Sequence, residues 1–215
     1  MSNRLRTVGV ILALAGIGFL IAGVYAFVKV QDGYDALESF SAAQNVTLSY
    51  DDNGNLTDRG TTEGAEAIMD LLTEDWGYSV VESEFDVDDP VVNTASEYMY
   101  QMATIGYHIL HGTQTVVLAE DVEYEGEVFP AGEYEFEVDG RYWTGFDRRH
   151  PIEGPARELA WSGTAHSLFA QLGVGAVTAS TLQIGLALSG ILVALGLTFL
   201  ASGGGLYWSS KETTA

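Results

Sequence analysis

The sequence contains no cysteine, which excludes disulfide bonds, zinc sites built on thiolates and a cysteine nucleophile. It also lacks the short motifs of common catalytic sites: GxSxG, a Walker loop, HExxH, and GxGxxG after a predicted strand. We therefore predict no catalytic residue, no cofactor, no cofactor-binding residue and no metal ligand. We expect the protein not to be an enzyme.

Basic residues are scarce, with nine Lys and Arg against 30 Asp and Glu, for a net charge of -21. Residues 31–179 hold five arginines and 29 acidic residues, which leaves a charge of -24 on that region. Such a charge repels nucleic acid and anionic lipid headgroups, so we expect no nucleic-acid partner. Adaptation to high salt and solubility in an exposed compartment both explain the acidity, and the sequence does not choose between them.

Charged side chains are absent from two apolar stretches, residues 7–28 and residues 182–207. Each is long enough as a helix, at about 1.5 Å per residue, to cross a hydrocarbon core of about 30 Å. We therefore predict two transmembrane helices, with the lipid bilayer as a partner. A cleaved signal peptide is the alternative for the first stretch, although its apolar run exceeds the usual length of about 7–15 residues.

Basic residues near the chain ends predict the orientation. Arg4 and Arg6 precede the first stretch and Lys211 follows the second, which places both termini in the cytoplasm. The expected fold is a membrane protein with two transmembrane helices flanking a single α+β extracytoplasmic domain that contains an antiparallel β-meander. The predicted segments are a cytoplasmic N-terminus (1–6), a transmembrane helix (7–28), the acidic α+β domain (29–160), a helical stalk or interfacial segment (161–181), a second transmembrane helix (182–207) and a cytoplasmic C-terminus (208–215).

Small residues recur at four-residue spacing in both apolar stretches. This spacing lets helix backbones approach closely in lipid. It predicts a contact between the two stretches, and a homo-oligomer through the same faces is the alternative. The residues concerned are Gly9, Ala13, Gly18, Ala22 and Ala26 in the first stretch, and Gly185, Ser189, Gly190 and Ala194 in the second.

Turn residues divide the first part of the domain into short elements. Residues 32–43 predict a helical stalk, because apolar residues recur there at helical spacing. Residues 46–58 predict a β-hairpin that turns at Asp52-Asn53-Gly54. Residues 61–76 predict a helix capped by Thr61 or Thr62, and residues 78–81 predict a strand.

A capping box formed by Thr94 and Glu97 predicts the start of the central helix, which continues to Leu110 and stops at Gly112. The alternative is a third membrane span over residues 98–118, which contain no Asp, Glu, Lys or Arg. Polar residues such as Gln101 make that alternative costly. The expected buried face of the helix consists of Tyr98, Met102, Ile105 and Ile109.

Alternating residues predict strands in the last part of the domain. Residues 114–118 form one predicted strand, and residues 122–143 predict a meander with turns at Gly126, Gly132 and Gly140. Within residues 133–138, Glu alternates with Tyr, Phe and Val, which predicts one buried and one water-facing side.

Two groups of residues resemble metal sites without matching them. An EF-hand loop that begins at Asp51 requires Gly at its sixth position and Glu at its twelfth, but Leu56 and Thr62 stand there. His108 and His111 share a helix face, yet no compact ligand pattern includes them, His150 or His166. We therefore interpret these residues as an ordinary acidic turn and as hydrogen-bonded or exposed histidines.

Residues 143–157 concentrate three of the domain's five arginines: Arg148, Arg149 and Arg157. They could bind an anionic ligand, a lipid phosphate or the protein's own acidic face. We favour the last of these, because it requires no partner.

After residue 158 no charged residue occurs until Lys211. Pro155 suits the first position of a helix. We therefore expect one helical rod from Pro155 through the second apolar stretch, with a kink near Gly173 and Gly175.

The layout resembles that of two-span envelope membrane proteins common in actinobacteria. The resemblance rests on the basic N-terminus, the run TVGVILALAGIGFLIAG, a soluble middle, the EGPAR entry and a final span rich in Gly, Ala and Leu. It implies no activity. We expect a non-enzymatic membrane protein whose outer domain contacts an envelope protein or stabilises a complex, and a cation- or small-ligand-binding sensor domain is the alternative.

Overall fold

The computed structural model describes residues 2–212. Met1 and residues 213–215, at the far ends of the two predicted cytoplasmic termini, lie outside the described residues. The chain forms two compact units: one combines the chain ends, up to residue 43 and from residue 178, and the other comprises Gln44–Val177. The helices are α1 (Ser2–Gln44), α2 (Thr62–Asp70), α3 (Ala95–Leu110), α4 (Glu153–Ala160) and α5 (Gly163–Glu212). The strands are β1 (Ser49–Tyr50), β2 (Leu56–Thr57), β3 (Thr113–Leu118), β4 (Val122–Tyr124), β5 (Glu127–Phe129) and β6 (Gly132–Glu137).

Helices α1 and α5 are each long and apolar enough to cross a membrane by length and composition. Helix α1 continues beyond residue 28 and includes the predicted stalk at residues 32–43, so that stalk is helical and belongs to the same helix. The helix ends before Asn45, whose φ of 51° is the left-handed conformation that commonly terminates helices.

The two long helices pack antiparallel along a seam of small residues spaced seven apart. A Cβ atom on Gly9 would lie 2.7 Å from the carbonyl oxygen of Gly203, and one on Gly16 would lie 2.7 Å from that of Gly196. Only hydrogen fits between the backbones at these positions. We call Gly9, Gly16 and Gly23 of α1, with Gly196 and Gly203 of α5, the small-residue seam.

The predicted contact between the two apolar stretches is confirmed, but only part of the predicted four-residue pattern lies in it: Gly9, Ala13 and Gly185 are in contact with the other helix. Gly18 and Gly190 belong to the four-residue pattern, and a Cβ on either would meet nothing within 4 Å. A seven-residue repeat keeps one side of a helix facing an antiparallel partner over many turns, which four-residue pairs do only locally.

The first part of the second unit contains the predicted hairpin and the predicted helix. Strands β1 and β2 are antiparallel, and Gly54 in their turn has a φ of 82°. The Thr61 side chain accepts a hydrogen bond from the Gly64 N–H at the start of α2. A π-helical turn, Leu71–Asp75, extends α2 toward Gly77, whose φ is 66°.

The predicted strand at residues 78–81 is wrong. These residues form no strand, and a 3-10 turn, Glu82–Glu84, follows them. The backbone here bonds to a side chain rather than to a neighbouring strand, since the Val81 N–H donates to the Ser96 hydroxyl.

Helix α3 begins with the predicted capping box at Thr94 and Glu97. It ends at Leu110, so the alternative of a third span over residues 98–118 is wrong. The predicted buried face is correct only at Tyr98, which is buried, whereas Met102, Ile105 and Ile109 are only half-buried. The smaller residues Ala103 and Gly106 are buried instead. One of these is Gly106, where a Cβ would lie 3.1 Å from the Trp76 ring.

The strands pair differently from the predicted meander. β4 and β5 form their own hairpin, while β6 returns to pair antiparallel with β3. The meander is therefore wrong in its pairing, although the antiparallel strands are present. Glu125 and Gly126 both have positive φ, which closes the β4–β5 hairpin tightly and leaves it outside the β3–β6 pair.

The core of the second unit lies between α3, α4, the start of α5 and the β3–β6 pair. One buried cluster contains Leu71, Leu110, Val138, Phe146, Ala160 and Trp161. A smaller one contains Val116, Ile152 and Ala156. The predicted alternation in β6 is confirmed, because Glu133, Glu135 and Glu137 are exposed while the intervening side chains pack inward.

The predicted rod from Pro155 is wrong, because the helix is interrupted. Helix α4 begins at Glu153 and ends at Ala160, and the backbone leaves the helical conformation at Trp161. The indole of Trp161 is buried in the core, and its Nε1 donates to the carbonyl of Arg141. Helix α5 then continues without interruption through Gly173 and Gly175.

Candidate functional site

The two histidines of α3 have separate partners. His108 Nε2 lies 2.9 Å from Asp58 Oδ1. His111 Nδ1 lies 2.9 Å from the carbonyl oxygen of Tyr107, and its ring lies against the Tyr107 ring. Although both residues are on one helix, they do not converge on a common point.

The other two histidines stabilise helix starts. His150 Nδ1 accepts the backbone N–H groups of Ile152 and Glu153, which opens α4. His166 Nδ1 lies 3.0 Å from the carbonyl oxygen of Ser162, at the first turn of α5. Among residues 2–212, no group of three or more His, Asp or Glu side chains is arranged to hold a metal ion.

The acidic turn at Asp51 uses its carboxylate internally. Asp51 Oδ1 accepts the N–H groups of Asn53 and Asn55, and Oδ2 accepts the Asn55 side-chain amide. These hydrogen bonds lower the pKa of Asp51, and the bond from the Asn55 side chain has the largest effect. The carboxylate thus shapes the turn, as the sequence interpretation held.

A polar cluster lies where α3 meets the β1–β2 hairpin. The hydroxyls of Tyr50 and Tyr100 are buried without a hydrogen-bond partner. Burial raises the pKa of Tyr100, and the nearby Asp58 carboxylate and Tyr50 raise it further. Asp58 is at the same time paired with His108. The sequence analysis did not group these residues, because hairpin and helix are 50 positions apart.

The tip of the β4–β5 hairpin is tied to the arginine-rich stretch. The Tyr124 hydroxyl donates to Asp147 Oδ2 over 2.6 Å. This bond raises the pKa of Tyr124 to about 12 and lowers the pKa of Asp147. The pair fixes the loop that precedes Arg148 and Arg149.

The expected pairing of the arginines with the protein's own acidic face holds only in part. Arg141 pairs with Glu153 at 3.0 Å, and Arg157 approaches Glu158 at 3.5 Å. Within the described part of the chain, no carboxylate lies within 4.0 Å of Arg148 or Arg149. After the Tyr124 hydrogen bond, the charge of Arg149 also helps to lower the pKa of Asp147, so the expectation is wrong for Arg148 but not for Arg149.

Three nitrogen-bearing side chains surround Trp143. The guanidinium carbon of Arg157 lies 3.6 Å from the centre of the Trp143 ring, and that of Arg148 lies 5.8 Å from it. The His166 ring meets Trp143 edge-on at 4.9 Å. We call Trp143, Arg148, Arg157 and His166 the Trp143 cluster.

Arg157 is the unusual member of the Trp143 cluster. Its side chain is only 8% exposed, and its Nε and Nη1 atoms are buried without a hydrogen-bond partner. Stacking on the electron-rich face of Trp143 compensates part of the cost of burying the guanidinium. The arrangement can attract an anion, since the charge of Arg157 is incompletely neutralised.

Aromatic packing holds the Trp143 cluster in place. Trp161 stacks on Tyr142, and its ring also packs against Phe169 and His166. The Trp76 indole donates to the Tyr142 hydroxyl over 2.7 Å. Sequence reasoning identified the arginines but missed Trp143 and His166 as their neighbours. Trp143 and Trp161 flank these arginines in the sequence, and that proximity is the signal that could have identified Trp143.

The exposed surface of the second unit also carries shallow cavities. One, of about 290 Å³, is bordered by Asp70, Glu74, Asp75 and His111. Its acidic side chains form no group that could hold a metal ion within residues 2–212. Comparison of the chain with protein-family models, with curated proteins and with solved structures found no match.

Proposed function

We propose that the chain is an integral membrane protein. In this proposal α1 and α5 form a transmembrane hairpin that holds the acidic α+β unit outside the cytoplasm, and the acidic unit acts as a non-enzymatic interaction or complex-stabilising module. The resemblance to two-span envelope proteins is part of the same proposal.

The exposure of apolar side chains on the paired helices carries the proposal. The most apolar windows of α1 and α5 are each only 11% buried, which differs from the core helix of a soluble protein. In water such a surface would strongly favour association, whereas in lipid it needs no cover. Residues that are more than half exposed include Ile11, Leu14, Ile21, Ile184, Leu188 and Leu197.

The length of the paired stretch fits a bilayer. The two helices are in contact from Gly9, opposite Gly203, at least to Gly33, opposite Leu182. At about 1.5 Å per residue this stretch of α1 spans about 36 Å, which is long enough to cross a hydrocarbon core of about 30 Å. Arg6 and Lys211 both approach the Tyr207 ring, which is the arrangement expected at a membrane–water boundary on the cytoplasmic side.

Cysteine accessibility tests the topology, because the chain has no native cysteine. We expect Asp52→Cys to react with a membrane-impermeant maleimide in intact cells. Asn3→Cys and Ser209→Cys should react only after lysis. Extraction of the protein by alkaline carbonate, or reaction of Asn3→Cys in intact cells, would contradict the proposal.

Co-purification tests the interaction role. We expect the full-length protein, purified from native membranes in neutral detergent, to retain a reproducible protein partner identified by mass spectrometry. The matched control replaces the exposed carboxylates of β6 in the triple variant Glu133→Gln, Glu135→Gln and Glu137→Gln. The proposal fails if no partner is retained in repeated preparations.

A ligand-binding sensor is the second candidate function. The observation that favours it is the buried Arg157, whose Nε and Nη1 lack partners. This observation favours an anionic ligand, whereas the acidic composition by itself favours a cation.

A further inference from the structure

Three of the four basic residues outside the second unit lie at one end of the helix pair. Arg4 and Arg6 lie near the start of α1, and Lys211 lies in the last turn of α5. The helices are antiparallel and Gly9 lies against Gly203, so the three basic side chains belong to the same end. All three are exposed, so they face whatever surrounds this end of the molecule.

The charge of this end is opposite in sign to that of the second unit. Residues 31–179 contain 29 of the 30 acidic residues and carry a charge of -24. The remaining acidic residue is Glu212, so this end has three basic residues against one acidic residue. An anionic surface is attracted to the basic end and repelled by residues 31–179.

Tyr207 holds two of the cations at this end. The guanidinium carbon of Arg6 lies 5.4 Å from the centre of the Tyr207 ring, and Lys211 Nζ lies 5.0 Å from it. Tyr207 is half-buried, and the next residue, Trp208, is 71% exposed. Aromatic and basic side chains are enriched together at the level of the lipid headgroups. The contacts with one ring therefore place both cations at one level along the helix pair.

We propose that this end of the helix pair recruits anionic phospholipids, with Arg6 and Lys211 as the main contacts for their phosphate groups. The inference rests on the proposed membrane insertion and names the lipid class that the inserted protein prefers. A bilayer surface offers many headgroups, so each cation attracts its own phosphate without a pocket or a shared binding point. Each lysine or arginine near an anionic membrane surface strengthens the attraction about fivefold.

The test uses the full-length protein in phosphatidylcholine vesicles that contain a minor fraction of phosphatidylglycerol. Bromine atoms on the acyl chains of one lipid at a time quench nearby tryptophan, and Trp208→Phe identifies the part of the quenching that belongs to Trp208. We expect brominated phosphatidylglycerol to quench Trp208 severalfold more strongly than an equal amount of brominated phosphatidylcholine. This preference should shrink between 0.01 M and 1 M sodium chloride, because the screening distance falls from about 30 Å to about 3 Å.

Variants without single charges locate the preference. Arg6→Gln and Lys211→Gln should each reduce it, and the double variant should lose most of it. Arg6→Lys keeps the charge and should keep the preference. Lys29→Gln is the matched control for Lys211→Gln, because Lys29 is exposed on the same helix pair but pairs with Asp32, far along α1 from Arg6. It should leave the quenching of Trp208 unchanged.

The outcomes separate this inference from membrane insertion. Equal quenching of Trp208 by the two lipids in the unaltered protein would overturn the lipid preference and leave membrane insertion standing. Equal losses in Lys211→Gln and Lys29→Gln, or an undiminished preference in the double variant, would also overturn it. Absence of quenching by either lipid would contradict membrane insertion itself, which the cysteine-accessibility experiment tests separately.

Discussion

Glu97 is a buried carboxylate that serves as a cap. Its side chain is almost completely buried, and its Oε2 accepts hydrogen bonds from the Asn93 N–H, the Thr94 N–H and the Thr94 hydroxyl. Burial is the largest influence on this group and raises its pKa, although the three donors act in the opposite direction. The folded state therefore retains the Glu97 proton to a higher pH than the unfolded chain does.

This difference makes the contribution of Glu97 to stability depend on pH. A raised pKa in the folded state contributes stability that is complete below the unfolded value of 4.5 and is lost as pH rises through the folded value. Glu97→Gln keeps an acceptor oxygen and cannot ionise. We therefore expect the thermal midpoint of Glu97→Gln, relative to the unaltered protein, to be higher at pH 7 than at pH 4.

The controls for Glu97→Gln separate charge from capping. Glu97→Ala should lose about 1–3 kcal/mol at both pH values, because the donors at the start of α3 lose their acceptor. Glu133→Gln, on the exposed side of β6, removes a charge without affecting a cap, so its midpoint difference between pH 4 and pH 7 measures the general effect of charge removal, which Glu97→Gln should exceed. If the thermal midpoint of Glu97→Gln differs from that of the unaltered protein by the same amount at pH 4 and at pH 7, the raised pKa of Glu97 is contradicted.

At the residue scale, the sequence predicts what depends on near neighbours. Thr94 and Glu97 are three apart, so their capping box was visible in the sequence. The burial of Arg157 was not, because it depends on Trp143, which reaches it through the fold of an intervening loop. A buried arginine with two unpartnered nitrogen atoms contradicts the usual expectation for this residue, and only the structure reveals it.

At the scale of elements, the small-residue seam determines how α1 and α5 pack. At Gly16, a Cβ would lie 2.7 Å from the Gly196 carbonyl oxygen and 2.8 Å from the Leu200 backbone nitrogen. Both atoms belong to the backbone, so they cannot move without separating the helices. At Gly18, two residues along the same helix, a Cβ meets nothing within 4 Å.

These two glycines provide a matched test of the seam. Gly16→Ala should weaken the helix pairing by about 1–3 kcal/mol through overpacking. Gly18→Ala should change it by no more than about 0.5 kcal/mol, since it adds a methyl group to an open face. Both substitutions replace glycine with a better helix former, so intrinsic propensity cancels between them.

Cross-linking in native membranes measures the pairing. The Phe19 and Phe199 rings are 5.5 Å apart, so Phe19→Cys with Phe199→Cys should react readily with a short bifunctional thiol reagent. We expect slower cross-linking when Gly16→Ala is added and an unchanged rate with Gly18→Ala. Equal rates in the two backgrounds would exclude the seam as the determinant.

Element types were easier to predict than their pairing. The starts of α2 and α3, the hairpin turns and the alternation in β6 follow from local residues, and the structure confirms them. The return of β6 to β3 pairs two strands that the whole β4–β5 hairpin separates in the sequence. The break at Trp161 depends on a buried indole. Neither interaction is a property of the local sequence.

At the scale of the whole molecule, the dominant feature is charge. Residues 31–179 carry -24, and the described ion pairs of this region are few. Like charges on a compact unit repel one another, which opposes folding more strongly at low ionic strength. The screening distance falls from about 30 Å at 0.01 M salt to about 3 Å at 1 M.

We therefore expect added salt to stabilise the protein. The thermal midpoint in neutral detergent should rise between 0.01 M and 1 M sodium chloride, and potassium chloride should have the same effect, because screening does not depend on the identity of the cation. The triple variant Glu133→Gln, Glu135→Gln and Glu137→Gln should show a weaker rise. Its substitutions remove three charges from a water-facing row and leave the packed side of β6 unchanged.

Calcium separates general screening from a specific cation site. At 1 mM it adds little ionic strength, so screening alone predicts almost no change in the thermal midpoint. A saturable rise at that concentration would mean that the acidic unit binds calcium, and it would favour the cation-sensing alternative over the interaction module. The geometry favours the first outcome, because the Asp51 carboxylate is engaged by its own turn and Asp58 pairs with His108.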